Sequence, residues 1–284
     1  FAVSLIIIMV YRIYCLQKFK ECKFHWIWEK EYMKPLLTFS GWNLFGNLGG
    51  VMSIQGTNFI INSFFGVVMN AASGVAFTAS GVISQFANNA MTAFRPPIIK
   101  LYAKGDVIKM QDLTLLAIKV IMLLYTLIAI PFFVECDNLL CLWLVEVPTM
   151  TSVFCRIILL SIFFETIRYI IIINVHASGN VKLVSAFSGT LFCLSPVLIY
   201  LTYRNDVPVQ SAFVILTLTN AILTIINIFI LKHYTPKVEA KKYFKTILKI
   251  VFSTFIVLVI TSYVTSFFKE SILRLLFTSS FSLI

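Results

Sequence analysis

Residues 152–175 read SVFCRIILLSIFFETIRYIIIINV. As a helix, a run of this length extends about 36 Å, enough to cross the roughly 30 Å hydrocarbon core of a bilayer. It contains no glycine or proline. Stretches such as Ile170–Ile173 do not alternate as barrel strands must. A helix is therefore expected, because lipid offers the backbone no other partners. Arg156, Glu165 and Arg168 interrupt it.

The rest of the 284 residues repeat this pattern. Hydrophobic residues make up 59% and charged residues 12%, with a mean hydropathy of +0.92. Soluble domains carry about 25% charge. The balance excludes a disordered chain, a disulfide-rich secreted module and an ordinary soluble enzyme. Whole apolar runs lie at 36–65, 67–94, 113–134, 152–175, 182–203, 209–231 and 244–268. Partial runs lie at 1–16 and from 271 onward, so the chain reads as a fragment cut inside a helix at each end. The expected fold is all-α, a polytopic transmembrane helix bundle. Residues 1–35 would form a helix end plus a cytoplasmic connection, and 36–284 the bundle.

The net charge is +11. Its basic residues fall in alternate loops, seventeen on one side against three on the other, with Lys119, Arg156 and Arg168 inside runs. By the positive-inside rule the loops 17–34, 95–110, 176–182 and 232–243 are cytoplasmic. The excess charge thus reads as topology, and no nucleic-acid partner is expected. Residues 17–34 mix Lys and Glu with Phe19, Phe24, Trp26, Trp28 and Tyr32. That pattern suits an interfacial connection in the headgroup layer. Arg95-Pro96-Pro97 reads as a helix stop. His25, His176 and His233 read as isolated, solvated loop residues.

Two runs are unusually polar. The first carries Asn43, Asn47, Gln55, Asn58 and Asn62; the second carries Gln85, Asn88 and several serines and threonines. Amides facing lipid are costly, so these are expected to border other helices or a wet cavity. Gly46, Gly49, Gly50, Gly74 and Gly81 read as sites of close helix packing. Glu165 and Arg168 are three apart. Either Arg168 meets an anionic group while Glu165 positions it or carries a coupling ion, or the two neutralise each other along the helix. Arg156 reads as a snorkelling residue. Of six cysteines, Cys136 and Cys141 share a short loop and would pair in an oxidising compartment; thiols in or near lipid are the plainer reading. No phosphate loop, catalytic Ser/His/Asp set or metal-ligand spacing occurs in the sequence, so no catalytic residue, cofactor or metal is expected.

The stretch GWNLFGNLGGVMSIQGTNFIINSFFGVVMNAASGVAFTASGVISQFANNAMTAFRPPIIKLYAKGD, within residues 36–106, resembles the oligosaccharide and lipopolysaccharide flippases of the multidrug/oligosaccharidyl-lipid/polysaccharide (MOP) exporter superfamily. The resemblance covers about a quarter of the chain. It implies the second bundle of a twelve- to fourteen-helix transporter of the bacterial inner membrane. The implied partner is an undecaprenyl-pyrophosphate-linked glycan, moved by alternating access with H⁺ or Na⁺ coupling. Arg168 and the amides match that chemistry in type. A MATE-like drug/cation antiporter on the same scaffold is the alternative. A membrane-embedded glycan polymerase or ligase fits less well, because residues 135–150, the longest outer loop, hold neither Arg nor His.

Overall fold

The computed structural model describes residues 2–19 and 30–266. The middle of the expected interfacial connection, residues 20–29, and the run from Ser271 with Lys269 and Arg274 lie outside the described residues. The described chain is all-α. Its helices are α1 (Ala2–Lys18), α2 (Lys30–Ala103), α3 (Val107–Val134), α4 (Cys136–Trp143), α5 (Thr151–Ala177), α6 (Lys182–Arg204), α7 (Ser211–Tyr234) and α8 (Ala240–Ser266). The chain divides into two compact units, Phe1–Ser40 and Gly41–Ile284. In the first, α1 is apolar on every side and leaves Val3, Ile6, Met9 and Ile13 exposed.

Among the described residues, six helices are long and apolar enough to cross a membrane. The longest of them, α2, is broken at Gly66, where φ 80° and ψ −178° are accessible essentially to glycine alone. Each of its arms holds about half of the 74 residues and is itself long enough to cross. With the arms counted separately, one helix overlaps each of the seven whole apolar runs within the described residues. The surface fits a membrane solvent: Leu44, Phe59, Val67, Leu123, Leu160, Phe229 and Phe252 all point outward.

The second unit is built from parallel and antiparallel helix pairs. The first arm of α2 runs parallel to α6. Gly46 meets Ser185, Gly49 meets Gly189, and Ser53 Oγ lies 2.7 Å from Ser195 Oγ. α5 and α7 also run parallel, joined by a polar seam. Thr217 and Thr224 donate to the Ile157 and Phe164 carbonyls, and Asn220 Nδ2 donates to Ser161 Oγ. α3 lies antiparallel to α5. Tyr125 donates to the Leu159 carbonyl, and Thr114 Oγ1 donates to Asn174 Oδ1. The turn before α8 is clamped to α3 by Gln111, which donates to the Glu239 carbonyl and accepts from the Glu239 amide. Between the pairs lies an apolar core of Ile118, Ile121, Phe154, Ile167, Ile171 and Phe213.

Several expectations are corrected. The helix does not stop at Arg95-Pro96-Pro97; α2 continues to Ala103, and the connection to α3 is residues 104–106. Two prolines remove two backbone donors, yet helical backbone continues through both, each exposed on the surface of α2. Residues 135–150 are not all loop, since α4 occupies Cys136–Trp143. That helix turns Cys136 inward, fully buried, and leaves Cys141 exposed; both thiols are free, in line with the plainer of the two readings. His176 is in the last turn of α5 and His233 in that of α7; neither is in a loop, though both are exposed. His25 lies outside the described residues.

The glycines divide by role. A Cβ at Gly49 or Gly56 would collide with Gly189 or Pro196. One at Gly50, Gly74 or Gly81 would meet nothing within 4 Å. The last three are therefore not points of close packing.

Candidate functional site

Arg168 is the centre of the candidate site. It lies on α5, 3% exposed. Its guanidinium carbon is 4.6 Å from the ring centroid of Tyr169 and 5.2 Å from that of Phe192 on α6. Two aromatic faces thus hold the charge, an arrangement that suits the weakly hydrated guanidinium. Its Nε is buried without a hydrogen-bond partner. An unmet donor of this kind is costly, and more so when charged.

Two cavities share this wall. The first, of about 240 Å³, is lined by Gly50, Ser53, Ile54, Phe77, Gly81, Ser84, Ser161, Glu165, Arg168, Tyr169, Phe192, Phe213 and Asn220, among others. The second, of about 360 Å³, is lined by Asn43, Gly46, Asn47, Gly50, Arg168, Tyr169, His176, Ser185, Ser188 and Phe192, among others. Gly50, Ile54, Arg168, Tyr169 and Phe192 belong to both. The absence of a side chain at Gly50 and Gly81 leaves room there that any Cβ would begin to fill. At the start of α6, Lys182 Nζ stands 5.5 Å from the Trp42 ring centroid.

Glu165 and Arg168 line one cavity without forming an ion pair. The described residues form three: Lys109–Asp106, Arg156–Asp137 and Lys242–Glu239. The Tyr169 ring, stacked against the Arg168 guanidinium, lines the same cavity. Glu165 and Arg168 make no contact ion pair, yet the Arg168 charge still acts on the Glu165 carboxyl, so partial neutralisation along the helix is retained. Both project into a cavity wall where a polar ligand would meet a donor and an acceptor side by side.

The amides separate into groups. Asn43 and Asn47 line the second cavity. Asn58 accepts from Ser73 Oγ at 3.3 Å and so ties the two arms of α2 together. Asn88 donates to Ser84 at 3.4 Å, and Gln85 to Asn89 at 3.2 Å, each along its own helix. Gln55 and Asn62 are exposed. Gln55, Asn58, Asn62, Gln85 and Asn88 line neither cavity.

Sequence reading missed Ser161 and Asn220. Asn220 is 6% exposed, its Nδ2 is held by Ser161, and its Oδ1 has no partner. The signal was present: Thr217, Asn220, Thr224 and Asn227 recur at intervals of three and four along α7. Such spacing marks one helix face, here the face against α5.

A second charged cluster sits at the end of the bundle formed by α4 and the start of α5. Arg156 Nη2 contacts Asp137 Oδ2 at 2.7 Å, and its Nε donates to the Phe133 carbonyl at 3.1 Å. Arg156 is thus a strut between α3, α4 and α5, where snorkelling alone was expected. The Ser152 hydroxyl, with the Arg156 guanidinium, holds the Asp137 carboxyl below the usual carboxylate range. The neighbouring Cys155 thiol and burial push the Cys136 thiol up. Among the described residues no group of three His, Cys, Asp or Glu side chains gathers in metal-binding geometry.

No family model matches the sequence, and neither a curated protein nor a solved structure matches it.

Proposed function

We propose that this multi-pass helical membrane protein is part of a MOP-type flippase that exports a lipid-linked oligosaccharide across the bacterial inner membrane by alternating access. The observation that carries the reading is Arg168: a buried guanidinium, stacked between Tyr169 and Phe192 on the wall shared by two cavities, with a donor that no protein group satisfies. Guanidinium groups recognise phosphate oxygens through paired, charge-assisted hydrogen bonds. The pyrophosphate of an undecaprenyl-linked glycan supplies such oxygens. Asn43, Asn47, Ser185 and Ser188 of the second cavity offer hydrogen bonds to sugar hydroxyls. His176, in the last turn of α5, lines that cavity toward the end where basic loops gather, which the positive-inside rule places in the cytoplasm, and this favours entry of the anion from that side. Glu165, beside Arg168, is the coupling residue for H⁺ or Na⁺. Transport requires no covalent step and no cofactor.

The test is transport by the whole protein in liposomes loaded with lipid-linked oligosaccharide. Arg168→Ala abolishes translocation while membrane insertion persists; undiminished translocation removes the reading. A second reading, a MATE-like cation antiporter, is favoured by one observation. Glu165 shares its cavity with Phe77, Phe192 and Phe213, a carboxylate among aromatic rings that suits an organic cation. Drug resistance that depends on Glu165 and not on Arg168 selects that reading.

A further inference from the structure

α8 has two faces of different chemistry. Ala240, Tyr243, Ile247 and Ile250 pack inward on the core. The opposite face carries Lys241, Lys245 and Lys249, all exposed and spaced four apart, so they form one stripe. Successive lysines rise about 6 Å along the helix. Like charges at this spacing repel. No carboxylate among the described residues forms an ion pair with any of the three. The nearby acids Glu239 and Asp112 act on Lys242, which Glu239 contacts at 2.8 Å. Lys232 and Lys237, both exposed, add to the positive field at the same end. Further along α8, Leu248 is 72% exposed, Phe252 66% and Phe255 63%. A row of uncompensated cations therefore leads directly onto an open apolar strip.

We propose that this face of α8 binds one anionic phospholipid. Lys241, Lys245 and Lys249 hold its phosphate, and Leu248, Phe252 and Phe255 carry its acyl chains. The match is in both charge and position. Lysine stems lie along apolar surface with the ammonium turned toward the headgroup layer, and clusters of basic residues beside a membrane-crossing helix attract anionic lipid. A free phosphate would satisfy the lysines and leave the apolar strip without a function. The inference is independent of what the cavities at Arg168 transport.

Native mass spectrometry of the full chain, released from micelles containing equal phosphatidylglycerol and phosphatidylcholine of identical acyl chains, tests this. One phosphatidylglycerol is retained preferentially. The triple variant Lys241→Gln/Lys245→Gln/Lys249→Gln loses the preference by about tenfold or more, since each lysine near the surface contributes a severalfold factor. The control Lys100→Gln/Lys104→Gln, which alters the basic end of α2, keeps it. Equal retention of the two lipids, an unchanged preference in the triple variant, or an equal loss in the control overturns the proposal. So does displacement of the lipid by millimolar inorganic phosphate. A photoreactive side chain at Leu248 provides a check that leaves the lysines intact. It cross-links labelled phosphatidylglycerol in preference to phosphatidylcholine, and equal labelling also overturns the site.

Discussion

Gly49 and Gly189 face each other so closely that a Cβ on Gly49 would lie 2.7 Å from the Gly189 Cα. This contact sets the spacing of the first arm of α2 and α6, the two helices that supply Asn43, Asn47, Ser185 and Ser188 to the second cavity. Small residues permit such approach in membranes, where packing rather than hydrophobicity joins helices.

Gly49→Ala therefore destabilises the bundle by about 1–3 kcal/mol, the usual cost of overpacking. Gly74→Ala, which meets open space on an exposed helix face, is neutral or mildly stabilising, since alanine suits a helix interior better than glycine. Thermal unfolding in detergent, followed by size-exclusion fluorescence, separates the two. Equal midpoints contradict the close contact.

Gly66→Ala is costly for a different reason. A Cβ there meets nothing, yet φ 80° with ψ −178° excludes an L side chain. The penalty is about 1–3 kcal/mol. It is read as a lower unfolding midpoint with expression retained. An unchanged midpoint shows that the two arms of α2 join in another conformation.

The seam between α5 and α7 is tested by a double-mutant cycle on Ser161→Ala and Asn220→Leu. Membrane hydrogen bonds contribute about 0.6 kcal/mol on average, with a maximum near 1.7 kcal/mol. Coupling in that range is expected from the 3.1 Å contact. Because Asn220 Oδ1 lacks a partner, Asn220→Leu alone loses less than deletion of a fully satisfied buried amide. Strict additivity of the two substitutions sinks the contact.

Acid sensitivity resides in the α4–α5 strut. The Asp137 carboxyl is depressed in the folded chain by Ser152 and Arg156. Its contribution is fully present above the unfolded value of about 3.9 and is lost as pH falls through the lower folded value. The pair is largely exposed, so its contribution does not exceed about 1 kcal/mol. Asp137→Asn lowers stability at pH 6 and removes this part of the decline below pH 4. An acid limb identical to that of the unsubstituted protein contradicts the assignment.

The helices were legible because an apolar run long enough to cross a bilayer has few other fates. Their joints were less so. Gly66, between Phe65 and Val67, shows that a single residue suffices where hydropathy alone suggests a missing loop. Pro96 and Pro97 were misread because proline is weighed as a helix stop, whereas here both lie exposed on a helix that runs on to Ala103. Asn43, Asn47, Glu165 and Arg168 were legible at the cavities because polar groups in apolar runs stand out. Asn220 was not, since averaged hydropathy hides four polar residues among the leucines and isoleucines of α7. The burial of Cys136 depended on α4, too short to register as a run.

Gln111 joins the Glu239 backbone through both halves of its amide. The turn leading into α8 is thereby fastened to α3 like a buckle. In any rocking of the bundle these two helices swing as a single lever, and a lipid seated on the outer side of α8 would add drag to that lever.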